Sequence, residues 1–112
     1  MFKEDNRYPI ERVYPREFKA VIDTLCITRH EFHHPKLSQI NNDQKQQVRL
    51  AKILITDLLS ARKVPVTTLQ LFLGLKTYAE TRRYQERVNV VKKTPTYQRL
   101  KRHVKTLISN GR

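Results

Sequence analysis

Residues 94–111, TPTYQRLKRHVKTLISNG, decide how the rest of the chain is read. Thr94 is a good helix N-cap, and Pro95 follows at the first helical position, where its missing N–H costs nothing. Asn110 and Gly111 close the stretch, and both tolerate the left-handed conformation in which helices often end. Between them Tyr97, Leu100, Val104, Leu107 and Ile108 recur at steps of three and four, which makes one apolar stripe. The opposite face carries Gln98, Arg99, Arg102, Thr106 and Ser109, with Lys101, His103 and Lys105 on the flanks. No acidic residue interrupts it. A cationic helix with one buried stripe and an outward face of Arg, Gln and Thr has what entry into a DNA major groove requires.

The charge balance agrees with this. The 112 residues carry a net charge of +13. From Arg82 to Arg112 there are ten lysines and arginines against one acid, Glu86, so +9 of that charge lies in the last quarter of the chain. An asymmetry that tracks one helical region points to a polyanionic partner rather than to a generally solvated surface. With 38% apolar residues the chain should fold as one domain with a modest core. Two glycines and helical spacing of the aliphatic residues favour a mainly α protein.

Cys26 is the only cysteine, which excludes an intramolecular disulfide and suits a reducing compartment. No apolar run is long enough to span a bilayer, and MFKEDNRYP does not resemble a signal peptide. No membrane role is expected: the cationic helix has a narrow stripe without Trp or Phe. The expected location is the cytoplasm of a bacterial, archaeal or virus-infected cell.

Upstream, residues 1–14 read as an arm that docks through Tyr8, Ile10, Val13 and Tyr14. Residues 15–28 are expected to form a helix from Pro15, with Phe18, Val21, Ile22, Leu25 and Cys26 inward and Lys19 and Asp23 outward. Residues 29–42, RHEFHHPKLSQINN, read as a polar connector in which Pro35 biases His34 away from helix. Cys26, His30, His33 and His34 have some of the chemistry of a metal site, but there is one Cys, and adjacent histidines do not easily point at one ion. No metal is expected. Asn42 or Asp43 should cap a long helix running to Arg62, whose apolar residues (Val48, Leu50, Ala51, Ile53, Leu54, Ile55, Leu58, Leu59) cover a broad surface. It is either the central core helix or part of a dimer interface.

After a break at 63–66, Thr67 and Gln70 stand at capping-box spacing for a buried helix with Gly74 inside it, where a neighbour crosses closely. Residues 77–80 should connect. TRRYQERV, 81–88, reads as a short helix with Tyr84 and Val88 inward, stopped at Asn89 in a left-handed turn. Val90 and Val91 anchor that turn, and Lys92 and Lys93 lead into the 94–109 helix. A short helix, a tight turn and a longer cationic helix make a helix-turn-helix.

In this order the chain resembles the winged helix-turn-helix family of the multiple-antibiotic-resistance (MarR) regulators. QVRLAKILITDLLSARKVPVTTLQLFLGL is similar to that family's long dimerising helix and buried helix. RRYQERVNVV resembles its short helix, with Asn89 standing for the turn glycine, and LKRHVKTLISNG resembles its recognition helix. The likeness spans 42–112 and implies about five helices with a reduced or absent wing, because the sequence stops where the wing's first strand would begin. It leaves residues 1–41 as an N-terminal arm, helix and connector outside the DNA-binding domain.

The resemblance further implies a homodimer that sets two recognition helices in successive major grooves, about 34–36 Å apart. Gln98, Arg99, Arg102 and Thr106 are then the expected base contacts, Arg to guanine and Gln to adenine. Arg82, Arg83, Arg87, Lys92, Lys93, Thr94, Thr96, Lys101 and Lys105 are the expected backbone contacts. The function expected is sequence-specific binding of double-stranded DNA by a transcriptional regulator. Alternatives are a replication or partition protein on plasmid or viral repeats, a single-strand or RNA module, and a protein–protein adaptor of the transcription machinery. No paired carboxylates, Gly-rich phosphate loop or metal set suggests an enzyme or a cofactor.

Overall fold

A computed structural model describes residues 10–34 and 41–110. The described residues form seven α-helices, rather than the expected five or so, and no strand: α1 (Ile10–Val13), α2 (Pro15–Leu25), α3 (Arg29–His33), α4 (Asn42–Ala61), α5 (Val66–Leu73), α6 (Tyr78–Val91) and α7 (Pro95–Asn110). The expected docking of Tyr8, the effect of Pro35 and the closing turn at Gly111 all concern positions outside the described residues.

The 20-residue α4 is the centre. Its cap is Asn41, one residue earlier than expected, whose side-chain oxygen accepts the Gln44 N–H at 2.8 Å. All nine residues from Ala51 to Leu59 are buried within a single chain. Such a helix has neighbours on every side, and α2, α3, α5 and α6 all pack on it. The two expectations for α4 therefore resolve in favour of the core. Burial takes in polar groups as well. Thr56 satisfies its hydroxyl by donating to the Lys52 carbonyl at 2.7 Å. Lys52 lies with its ammonium 5.6 Å from the centre of the Phe32 ring, and burial pulls its pKa down to about 8 although Glu80 opposes the shift.

α2 is shorter than its stripe suggested. It ends at Leu25, and Cys26 takes the left-handed conformation with φ 57°. The reason lies just beyond. Thr28 and Glu31 form a capping box, with Glu31 N–H on the Thr28 hydroxyl at 3.0 Å and Thr28 N–H on the Glu31 carboxylate at 2.9 Å. Thr28 thus starts α3 instead of ending α2, and part of the expected connector is helical. α3 is clasped to α1: Glu11 pairs with Arg29 and accepts from His33 Nε2 at 3.2 Å. Glu17 ties α2 to the end of α4 through Arg62 at 2.7 Å, and Arg62 also lies over the Tyr14 ring.

Three further expectations are corrected. α5 starts at Val66 with Pro65 as its N-cap and no side-chain cap, so Thr67 and Gln70 do not form a capping box. Pro65 is held extended at φ −62° and offers its carbonyl to Leu69, which starts the helix one turn-position early. Gln70 instead donates to the carbonyl of Lys76 at 3.1 Å. Gly74 is not inside the helix: it ends it, at φ 68°, where a side chain would be strained.

α6 is longer than 81–88 at both ends. Thr77 and Glu80, expected to connect, make a second capping box. Asn89 stays helical, because Thr81, Tyr84, Val88 and Val91 continue one inward stripe past it. Packing outweighs the weak local preference of one Asn. The turn before α7 is consequently Lys92–Lys93–Thr94, shorter and later than 89–93.

One hydrophobic core joins α1 and α2 to α4, α5, α6 and α7, from Ile10 and Val21 through Leu54 and Leu69 to Val104. α7 packs chiefly on α2, and α6 chiefly on α4 and α5.

Candidate nucleic-acid interface

α7 begins as its sequence indicates. The Thr94 hydroxyl accepts the Tyr97 N–H at 3.3 Å and donates to the Val91 carbonyl at 2.7 Å, joining the end of α6 to the start of α7. Tyr97 and Val104 are buried, Leu100 and Ile108 are half-buried, and Leu107 is 37% exposed, at the margin of the stripe. Eleven of the sixteen residues of α7 are exposed.

The expected contact residues divide into groups. Arg99, Arg102, Lys105 and Thr96 are exposed, as a binding face needs. Gln98 and Thr106 are exposed too, but their donors are engaged: Gln98 Nε2 donates to the Lys92 carbonyl at 3.1 Å, and the Thr106 hydroxyl donates to the Arg102 carbonyl at 3.0 Å. A bidentate contact from Gln98 to adenine requires it to release Lys92. The amides at the start of α7 are largely used as well. Pro95 has none, Tyr97 N–H goes to the Thr94 side chain and Gln98 N–H to the Thr94 carbonyl. A phosphate there meets Thr96 more than Thr94. Lys101 points inward, its ammonium 2.9 Å from Asp57 of α4.

Beside the turn runs a groove of about 560 Å³ lined by Lys92, Lys93, Tyr97, Gln98, Lys101, Arg102 and Lys105. Its walls carry five cations and no acid. Lys92 also borders a second groove, of about 430 Å³, which Arg82 of α6 shares with Asp57, Ser60, Gln85, Glu86 and Asn89. The structure therefore sets Lys92, Lys93, Arg102 and Lys105 along one groove, while Arg82, ten residues before Lys92 on α6, lines only the second. Arg83 and Arg87 do not join them. They line a separate pocket of about 150 Å³ with Arg49, Glu80 and Tyr84, where the Arg87 guanidinium lies 5.9 Å from the centre of the Tyr84 ring. Burial raises the Tyr84 phenol above its ordinary value even though Arg49 and Arg87 pull the other way.

Two residues escaped the sequence reading. Arg49 adds a third guanidinium beside Arg83 and Arg87. Asp57 is the more consequential. It is 9% exposed, and one carboxylate oxygen accepts the Tyr97 hydroxyl at 2.8 Å as well as facing the Lys101 ammonium. The signal was available: a single carboxylate in the apolar run ILITDLL must find a buried partner or be very costly.

Among the described residues no group of three His, Cys, Asp or Glu is placed to hold a metal ion. Cys26 is exposed at the end of α2, while His33 stacks on Phe18 with ring centres 5.7 Å apart. Among the described residues no helix is long and apolar enough to cross a membrane. Comparison with protein-family models, with curated proteins and with solved structures finds no match.

Proposed function

We propose that the protein binds double-stranded DNA, with α7 in the major groove and the Lys92–Thr94 turn against the adjoining phosphates. The observation that carries this reading is the pairing of an exposed helix with a groove along it lined by Lys92, Lys93, Arg102 and Lys105, beside the Asp57-paired Lys101. Arg99 and Arg102 stand on the outward face, where a guanidinium can bond bidentately to guanine. Lys92, Lys93 and Lys105, with Arg82 farther back on α6, supply phosphate contacts that give affinity and salt dependence without selecting sequence. Arg83 and Arg87 stand outside this set. A regulatory role, and a second copy on the neighbouring half-site, belong to the same proposal. Because the apolar face of α4 is already covered within one chain, a second copy has to meet the first elsewhere.

Selection from a random duplex library tests the proposal. Wild type should enrich particular sequences. The Arg99→Ala/Arg102→Ala variant should lose enrichment while keeping weak, salt-sensitive binding. Equal enrichment by both proteins removes those arginines from base reading, and no duplex binding by wild type at moderate salt refutes the proposal itself.

A further inference from the structure

α7 is held to the protein by two kinds of contact. Tyr97, Leu100, Val104 and Ile108 give it an apolar footing, which is non-directional. Asp57 gives it a directional one. Its Oδ2 takes the Tyr97 hydroxyl at 2.8 Å and the Lys101 ammonium at 2.9 Å, from positions one turn apart on α7. Two bonds converging on one atom of the buried central helix fix which face of α7 is outward. Lys101 meanwhile lines the cationic groove, so Asp57 neutralises a charge that would otherwise face a phosphate. Burial, then the bond to Asp57, pushes the Tyr97 phenol well above its ordinary value, so the hydroxyl keeps its proton and stays a donor.

We propose that Asp57 is a positioning residue for DNA recognition: it fixes the outward face of α7 and withholds Lys101 from the DNA backbone. The inference rests on the DNA reading above. It implies that Lys101, although it lines the groove, contributes nothing to the count of phosphates contacted in wild type.

The salt dependence of duplex binding reads that count, because each phosphate neutralised adds about 0.9 to the slope of log K against log salt. The slope is measured on one mixed-sequence duplex for wild type, Asp57→Asn, Lys101→Met and the double variant, with a thermal melt for each. Lys101→Met should leave the slope of wild type unchanged. Asp57→Asn should steepen it by about 0.9, and the double variant should return it to the wild-type value. A merely structural Asp57 would lower the melting temperature and leave the slope alone, which overturns the inference. So does a slope that falls by about 0.9 in Lys101→Met, since Lys101 then meets a phosphate in wild type. If Asp57→Asn fails to fold, Asp57→Ser takes its place, with the same expected steepening and the same overturning result. Absence of duplex binding by wild type refutes the DNA reading, and this inference with it; an unchanged slope in Asp57→Asn with wild-type binding intact refutes only the inference.

Discussion

α4 and α7 are both long helices, of twenty and sixteen residues, and the chain treats them in opposite ways. α4 hides nine consecutive residues, including a lysine, a threonine and an aspartate. α7 buries only Tyr97 and Val104 and turns eleven residues to solvent. The residues of α4 answer to packing inside the protein. On the outer face of α7, Gln98 and Thr106 bond to carbonyls of the chain, while Arg99 and Arg102 are turned to solvent. The same contrast separates the two acids of the second groove. Asp57 is buried and bonded to α7, whereas Glu86 is exposed on α6.

The contrast is broken most forcefully at the centre of α4. Leu54 is fully buried, so Leu54→Ala should cost about 2–5 kcal/mol in urea denaturation, through lost transfer energy and the cavity left behind. A loss under about 1 kcal/mol would mean α4 is not closed in on all sides.

Acid should destabilise the fold through His33, buried beside the α1–α3 clasp. Burial holds His33 neutral, with its pKa lowered to about 4 against the attraction of Glu11. The unfolded chain takes up this proton near pH 6.5, and the folded one refuses it until about pH 4. Stability contributed by a neutral His33 is therefore present above pH 6.5 and is lost as the pH falls from 6.5 to about 4, by on the order of 2–3 kcal/mol. Glu11 acts in the same sense at lower pH, because Arg29 and His33 together outweigh burial and hold its carboxyl below the usual value. Chemical denaturation across this range should show a slope that His33→Phe removes.

At the junction of the two helices, Tyr97→Phe deletes one bond to Asp57 and leaves the Lys101 pair. A loss of about 1–3 kcal/mol is expected, from a buried hydrogen bond to a charged group. A neutral result would show that the bond does not hold α7 to α4.

Asn89→Ala probes the linking helix, α6. Since Asn89 is helical and exposed, alanine should stabilise by about 0.5 kcal/mol. A left-handed turn at this position would instead make alanine destabilising by about 1 kcal/mol or more.

The smallest effect on stability belongs to the outer face of α7. Arg99→Ala/Arg102→Ala should change the unfolding free energy by no more than about 0.5 kcal/mol, because both side chains are exposed. A larger loss would mean that these arginines serve the fold.

What could be read in the sequence follows the same division. The limits of α7, its Thr94 cap and its stripe are written in residues three and four apart, and so is the length of α4. Both were legible because helical periodicity is local. The ends of α2, α5 and α6 were not, because two signals competed at each. Thr28 reads as the tail of one helix until Glu31 claims it for the next. Gly74 reads as an interior glycine until the chain turns there, and Asn89 reads as a stop until Val91 is seen to pack. At the candidate site, exposure of Arg99, Arg102 and Lys105 followed from the helical face. The inward turn of Lys101 did not, since its partner lies on another helix and no spacing rule connects them. The separation of Arg83 and Arg87 from Arg82 was hidden for a similar reason: a shorter α6 places all three on one outward surface.

The central claim is that α7 and its turn, rather than the rest of a basic protein, meet DNA. Amide shift mapping on addition of a mixed-sequence duplex at low salt tests it most directly. The expected result is perturbation confined to Arg82, Lys92–Thr94, Thr96 and the outward positions Arg99, Arg102 and Lys105, with the buried centre of α4 unmoved. Perturbation centred instead on Arg49, Arg83 and Arg87, or none at all, would contradict it.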